Sequence, residues 1–156
     1  MTVVAGVSAD RAETELLREA ARLAGGLDEE FHAVHIVPES RFEELVAEGD
    51  VAPTFGKVRE EARSVATDAV DDALATVDDD DDTAPRPTPG DEALEAVGLV
   101  GDPTTELVEY ANQVDASLIA VGGRKRSPVG KALFGGVTQA VLQEADRPVV
   151  TRLLEE

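Results

Sequence analysis

Short unbroken apolar runs alternate along this chain with longer stretches of helical apolar spacing. Val3 to Val7 is the first run and predicts a buried strand. Asp10 and Glu13 then form a capping-box start to a helix striped by Leu16, Leu17, Ala20, Ala21, Leu23 and Ala24, with Gly25–Gly26 expected to end it. Phe31 to Val37 predicts a second strand, stopped by Pro38. Ser40 to Glu48, with Phe42, Leu45 and Val46, predicts a short helix in a connection. Pro53–Thr54 opens a longer amphipathic helix through Val58, Ala62, Val65, Ala66, Ala69, Val70, Ala73, Leu74 and Val77.

Glu95 to Val100 predicts a third strand. Gly101-Asp102-Pro103 supplies a turn, an N-cap and a proline at the first helical position, ahead of Leu107, Val108, Tyr110, Ala111 and Val114. Ser117 to Val121 is a fourth strand, Val137 to Glu144 a helix and Pro148 to Leu154 a last strand. This alternation calls for an α/β fold, a parallel sheet with helices on both faces. Ligands on such sheets sit beyond the carboxyl ends of the strands, where strand order reverses. Strands one and four both end in small residues (Val7-Ser8-Ala9 and Val121-Gly122-Gly123), which places the expected site there.

Charge sharpens that expectation. The chain has 33 acidic residues in 156, yet the 28 residues between Asp115 and Glu144 contain none, where the chain average would give about six. Arg124, Lys125, Arg126 and Lys131 fall inside this window. A strand, a basic glycine-punctuated loop and a helix start make an anion pocket, because the first turn of a helix offers unpaired N–H donors. The alternative is a solvated loop whose cations offset nearby acids. Asp78 to Asp82 and the proline-rich residues after it read as a solvated surface loop over 78–91, with no hard-cation geometry around the aspartates.

Composition excludes several classes. A net charge of −19, with no Trp and one Tyr, disfavours nucleic acid as a partner. The same acid excess suits a salt-accumulating, haloarchaeal-type cytoplasm. No Cys is present, which removes disulfides and thiolate chemistry. The chain opens directly on a strand, so a soluble cytoplasmic protein without signal peptide or membrane span is expected. Val129-Gly130-Lys131-Ala132 echoes a P-loop ending but lacks its earlier glycine and its hydroxyl. His32 and His35 lie three apart on a strand and so face opposite sides, unable to share a metal. No catalytic constellation is marked out by spacing, and no metal site is expected.

In this order the residues resemble the universal stress protein family over essentially the whole chain. Four blocks carry the resemblance: Val3-Val4-Ala5-Gly6-Val7-Ser8; His35-Ile36-Val37; Gly101-Asp102-Pro103 with Ala116 to Gly122; and Gly135-Gly136-Val137-Thr138 leading to Arg147-Pro148-Val149-Val150. The resemblance implies a single-domain three-layer sandwich over residues 1–156, with a five-stranded parallel sheet of order 3-2-1-4-5. It also implies non-catalytic binding of ATP, with Mg²⁺, and a homodimer formed through the strand at about 148–154.

Nucleotide-binding members carry Gly, two residues, Gly, nine residues, then Gly and Ser or Thr. Gly122 and Gly135 match the first and last glycines, while Lys125 replaces the middle one and Gly136 the Ser. Val137 and Thr138 continue the motif, with the Thr138 hydroxyl implied to face the terminal phosphates. Ser8 stands where binding members have Asp, with Val7 on the adenosine side. The Ile36 backbone would meet the adenine edge, and Val121 lines the same pocket. Lys125 either reaches the phosphates as a point charge or neutralises the pocket itself. The departures leave open a dimeric interaction module with a degenerate site and, more remotely, a weak ATP hydrolase.

Overall fold

The computed structural model describes residues 1–8, 14–48, 54–75, 93–124 and 136–154. Ten elements follow one another: β1 (Thr2–Val7), α1 (Thr14–Leu27), β2 (Glu30–Pro38), α2 (Glu39–Glu48), α3 (Phe55–Ala75), β3 (Leu94–Gly101), α4 (Pro103–Gln113), β4 (Ala116–Arg124), α5 (Gly136–Glu144) and β5 (Val149–Leu154). The strands form a five-stranded sheet, every neighbouring pair parallel as the alternation of elements predicts, in the order β3-β2-β1-β4-β5 that the family resemblance implies. The acidic segment 78–91 and the capping pair Asp10 and Glu13 lie outside the described residues.

Alternation along the strands divides the core in two. Val3, Ala5, Phe31, Ala33 and Ala120 meet the apolar stripes of α1 and α3 on one face. Val4, Val34, Ile36, Ile119 and Val121 meet α4 and α5 on the other. Gly98 on β3 shows how tightly α3 is seated. A Cβ there would lie 2.1 Å from the Arg59 carbonyl oxygen and 2.3 Å from the Arg63 nitrogen, so only a glycine lets this helix backbone approach.

Two boundaries differ from the sequence reading. Helix α1 runs through Gly25–Gly26 to Leu27, and Asp28 takes the left-handed turn at φ 56°. Asp28 N–H donates to Gly25 O and Glu29 N–H to Ala24 O, which is the paired bonding of a Schellman end with Asp in the usual glycine place. Strand β4 likewise does not stop at the Gly122–Gly123 pair. It continues to Arg124 because β5 keeps pairing with it, matching Gly122 to Arg152 and Arg124 to Leu154. On the other edge, β1 pairs with β4 only as far as Ala5 and Ala120.

Candidate functional site

The end of that ladder is where the sheet reverses its order. From β1 the chain adds β2 and β3 on one side and β4 and β5 on the other, so β1 and β4 flank the switch point. A cavity of about 670 Å³ opens there, over the carboxyl ends of β1, β2 and β4.

Each wall comes from a different element. β1 contributes Gly6, Val7 and Ser8; β2 contributes Val34 to Pro38; β4 contributes Val121 and Gly122. α3 closes one side with Val58, Glu61, Ala62 and Val65, and α4 the other with Pro103 and Leu107. Val137 and Thr138 in the first turn of α5 complete the rim. At Gly6 a Cβ would stand 3.2 Å from Leu107 Cδ2 and 3.6 Å from Val121 Cγ1, so its absence lets both side chains pack across β1.

Hydrogen bonds fix two polar side chains of the wall. The Thr138 hydroxyl, buried, donates to the Gly122 carbonyl at 2.6 Å and ties α5 to β4. A hydroxyl has one hydrogen, so this bond directs the Thr138 donor at its own chain. The His35 ring places Nδ1 2.8 Å from the Val7 carbonyl, linking β2 to β1 at the register pair Val7–His35. At the mouth, Arg41 Nη1 pairs with Glu44 Oε2 at 3.2 Å within α2.

Neighbouring groups set the entry of α4. Asp102, exposed, accepts from the Thr105 N–H at 3.0 Å and the Thr105 hydroxyl at 2.9 Å, as the N-cap the sequence predicts. These bonds hold its carboxyl below the usual range, the backbone donor contributing most. On the α4 face, His32 Nδ1 meets the Tyr110 hydroxyl at 2.7 Å, and its Nε2 lies 3.5 Å from Glu95 and 3.7 Å from Glu30. Burial first, and then the charges of Glu95 and Glu30, push the Tyr110 phenol up to about 12. His32 and His35 thus serve separate surroundings.

Of the residues singled out from sequence, Val7, Ser8, Ile36, Val121, Gly122, Val137 and Thr138 line one cavity. Gly136 begins α5 directly before Val137. Lys125 and Gly135 lie outside the described residues. Sequence reasoning passed over His35, Arg41, Glu61, Pro103 and Leu107 as wall residues. For His35 a signal existed, since it precedes Ile36 at the carboxyl end of a strand already assigned to the pocket.

Comparison with known proteins agrees with this architecture. The model of the universal stress protein family matches residues 1–151. A "Universal stress protein" of Mycolicibacterium smegmatis is 42% identical over 59 residues, which cover 38% of this chain and 44% of that one. "Stress response protein NhaX" of Bacillus subtilis is 35% identical over 52 residues, 33% of this chain and 31% of the relative. The matched segments therefore span less than half the length of these relatives.

Solved structures align over nearly the whole chain. A universal stress protein from Archaeoglobus fulgidus superposes with a TM-score of 0.60 at 26% identity, covering 97% of each chain. Two further structures share the fold. One is a universal stress protein in complex with cAMP, with a TM-score of 0.56, 19% identity, and coverage of 98% of this chain and 96% of that one. The other is a universal stress protein from A. fulgidus in complex with dAMP, with a TM-score of 0.56, 21% identity, and coverage of 97% of this chain and 96% of that one.

Proposed function

The chain belongs to the universal stress protein family, and from that premise we propose that it binds an adenine nucleotide at the β1–β4 switch point as a stress-response protein. ATP with Mg²⁺, or a related adenine nucleotide, is the ligand of this reading, held without being turned over in a salt-accumulating cytoplasm. One observation carries it: a cavity of about 670 Å³ with mainly aliphatic walls, open at the first turn of α5. Pockets for small ligands occupy about 300–1,000 Å³ and combine apolar walls with a few placed polar groups. Val7, Ile36, Val37 and Val121 suit the flat apolar faces of a purine. The first-turn amides of α5 suit a phosphate. The cAMP and dAMP complexes of similar proteins make that ligand class the first to try.

Titration calorimetry in molar KCl with ATP, ADP and AMP, each with and without Mg²⁺, tests the proposal. Heat that saturates at one nucleotide per chain is expected. Its absence for all three overturns the reading. Phosphate release from ATP is expected to stay at the uncatalysed rate, and measurable turnover would contradict the non-catalytic part.

A second reading, an interaction module with a degenerate site, draws on the Thr138 hydroxyl being engaged by Gly122. Restoring the motif with Lys125→Gly and Gly136→Ser separates the two. If the double variant gains a nucleotide affinity that the parent lacks, the second reading holds; if it weakens existing binding, the first does.

We also assign a homodimer to β5. This strand is the outermost in the sheet and has no outer neighbour among the described residues. Open edges invite pairing, and two-fold association would close this one. Light scattering at high salt is expected to give twice the chain mass.

A further inference from the structure

His35 is one of the residues lining the cavity, and the two nitrogens of its ring are in different circumstances. Nδ1 lies 2.8 Å from the Val7 carbonyl oxygen. A carbonyl can only accept, so Nδ1 carries the hydrogen of that bond. In the neutral ring this leaves Nε2 as a bare lone pair, with its tautomer fixed by the backbone of β1. No second hydrogen bond to the ring is made by the described residues. Nor is Nε2 sealed off as a partnerless buried atom, a condition that only the Thr151 hydroxyl meets among the described residues. His35 is buried, and its residue lines the cavity between Val34 and Ile36.

The polar side chains of the wall also include the Ser8 hydroxyl and, on α3, the Glu61 carboxylate, an anionic acceptor. Thr138 gives its hydrogen to Gly122, and Arg41 is a cation at the mouth, paired with Glu44. A ligand seated against His35 therefore meets a pre-oriented neutral acceptor in largely aliphatic surroundings. It must present an N–H or O–H there or leave the lone pair dry, and an unmatched buried polar group discriminates strongly.

We infer that His35 Nε2 is the acceptor through which this cavity reads the nucleoside part of its ligand. It takes a hydrogen bond from a neutral donor, either the exocyclic amine of the base or a ribose hydroxyl. The inference rests on the nucleotide reading above and adds a specificity-determining residue to it. Val7 acts through its carbonyl as the positioning group, holding the ring in the one tautomer that accepts.

His35→Asn isolates this role. The Asn amide keeps an N–H close to the Nδ1 position for the Val7 carbonyl and has no atom where Nε2 was. Wild type and variant are titrated with AMP, IMP, 2′-deoxy-AMP and 3′-deoxy-AMP, with thermal melting as the check on folding. AMP is expected to bind the variant about tenfold more weakly, the loss of one hydrogen bond. The analogue that lacks the donor should bind both proteins equally. IMP in that place identifies the exocyclic amine; a deoxy-AMP identifies the hydroxyl.

Equal AMP affinity in the two proteins overturns the inference. So does a loss of the same size for all four ligands, which would make His35 a structural residue. If wild type binds none of them, the nucleotide reading and this one fall together. His35→Gln, which returns an amide oxygen near Nε2, should recover part of the AMP affinity and decides the matter if the Asn variant does not fold.

Discussion

Thr138, in the first turn of α5, donates its hydroxyl hydrogen to the carbonyl of Gly122 on β4 at 2.6 Å, across 16 positions of sequence. The bond spans the two ends of the basic glycine-punctuated segment. Its partners both line the cavity, so it fixes the amino end of α5 against the strand it follows. The Thr138 side chain thus holds the amino end of α5 in place. Backbone N–H groups of that turn are left to do any anion binding.

Replacing Thr138 with the near-isosteric Val removes the hydroxyl donor from the buried Gly122 carbonyl. Urea unfolding is expected to show a loss of about 1–3 kcal/mol. Thr138→Ser keeps the donor and gives up one methyl, so its cost should be about 1 kcal/mol or less. A Val variant as stable as the Ser variant would remove the bond from the argument.

Alkaline stability should depend on Tyr110. Its folded pKa is pushed up to about 12 by burial and by the Glu95 and Glu30 charges, from the ordinary tyrosine value of about 10. Below the unfolded value both states keep the proton, and the Tyr110 contribution is complete. As pH climbs from about 10 to about 12 only the unfolded chain gives up the proton, so stability falls across that window. Tyr110 is the chain's one tyrosine and there is no tryptophan, so phenolate absorbance reports this group alone. A phenolate midpoint at the ordinary tyrosine value, or an unchanged alkaline slope in Tyr110→Phe, would contradict the account.

How much of this was legible beforehand follows from what each residue depends on. The apolar periodicity of Leu16, Leu17, Ala20, Ala21 and Ala24 and the cap at Asp102 are local, and both read correctly from the chain. Seven of the named pocket residues also share one cavity, because strand ends at a switch point converge by topology. Non-local pairing was not readable. Gly122–Gly123 looks like a terminator until β5 is known to pair beyond it. Gly25–Gly26 looks like a helix end, although the chain turns at Asp28, whose left-handed φ its Cβ does not forbid. The roles of His35 and Thr138 are set by carbonyls 28 and 16 positions away, and no local pattern carries such information.

Gly98 tests the seating of α3. An Ala methyl there would collide with backbone atoms of Arg59 and Arg63, which cannot swing aside as a side chain would. Gly98→Ala is therefore expected to push α3 off the sheet at a cost of about 3 kcal/mol, the upper end for overpacking. Because Val58, Ala62 and Val65 of the same helix wall the cavity, nucleotide affinity should fall in parallel. Gly26→Ala, where a Cβ meets nothing within 4 Å, is the matched control and should leave both unchanged or slightly improved.

Thr151 tests the edge of the sheet. It stands on β5 in register with Val121, and its hydroxyl is buried without a hydrogen-bond partner among the described residues. An unmatched buried hydroxyl costs stability that an apolar group of the same shape does not, so Thr151→Val should stabilise the fold by about 1 kcal/mol. The effect should be read at several protein concentrations, because β5 is the strand assigned to self-association. A gain that is independent of concentration means the hydroxyl is dry in the working protein. A loss of stability instead of a gain would contradict this account of the hydroxyl.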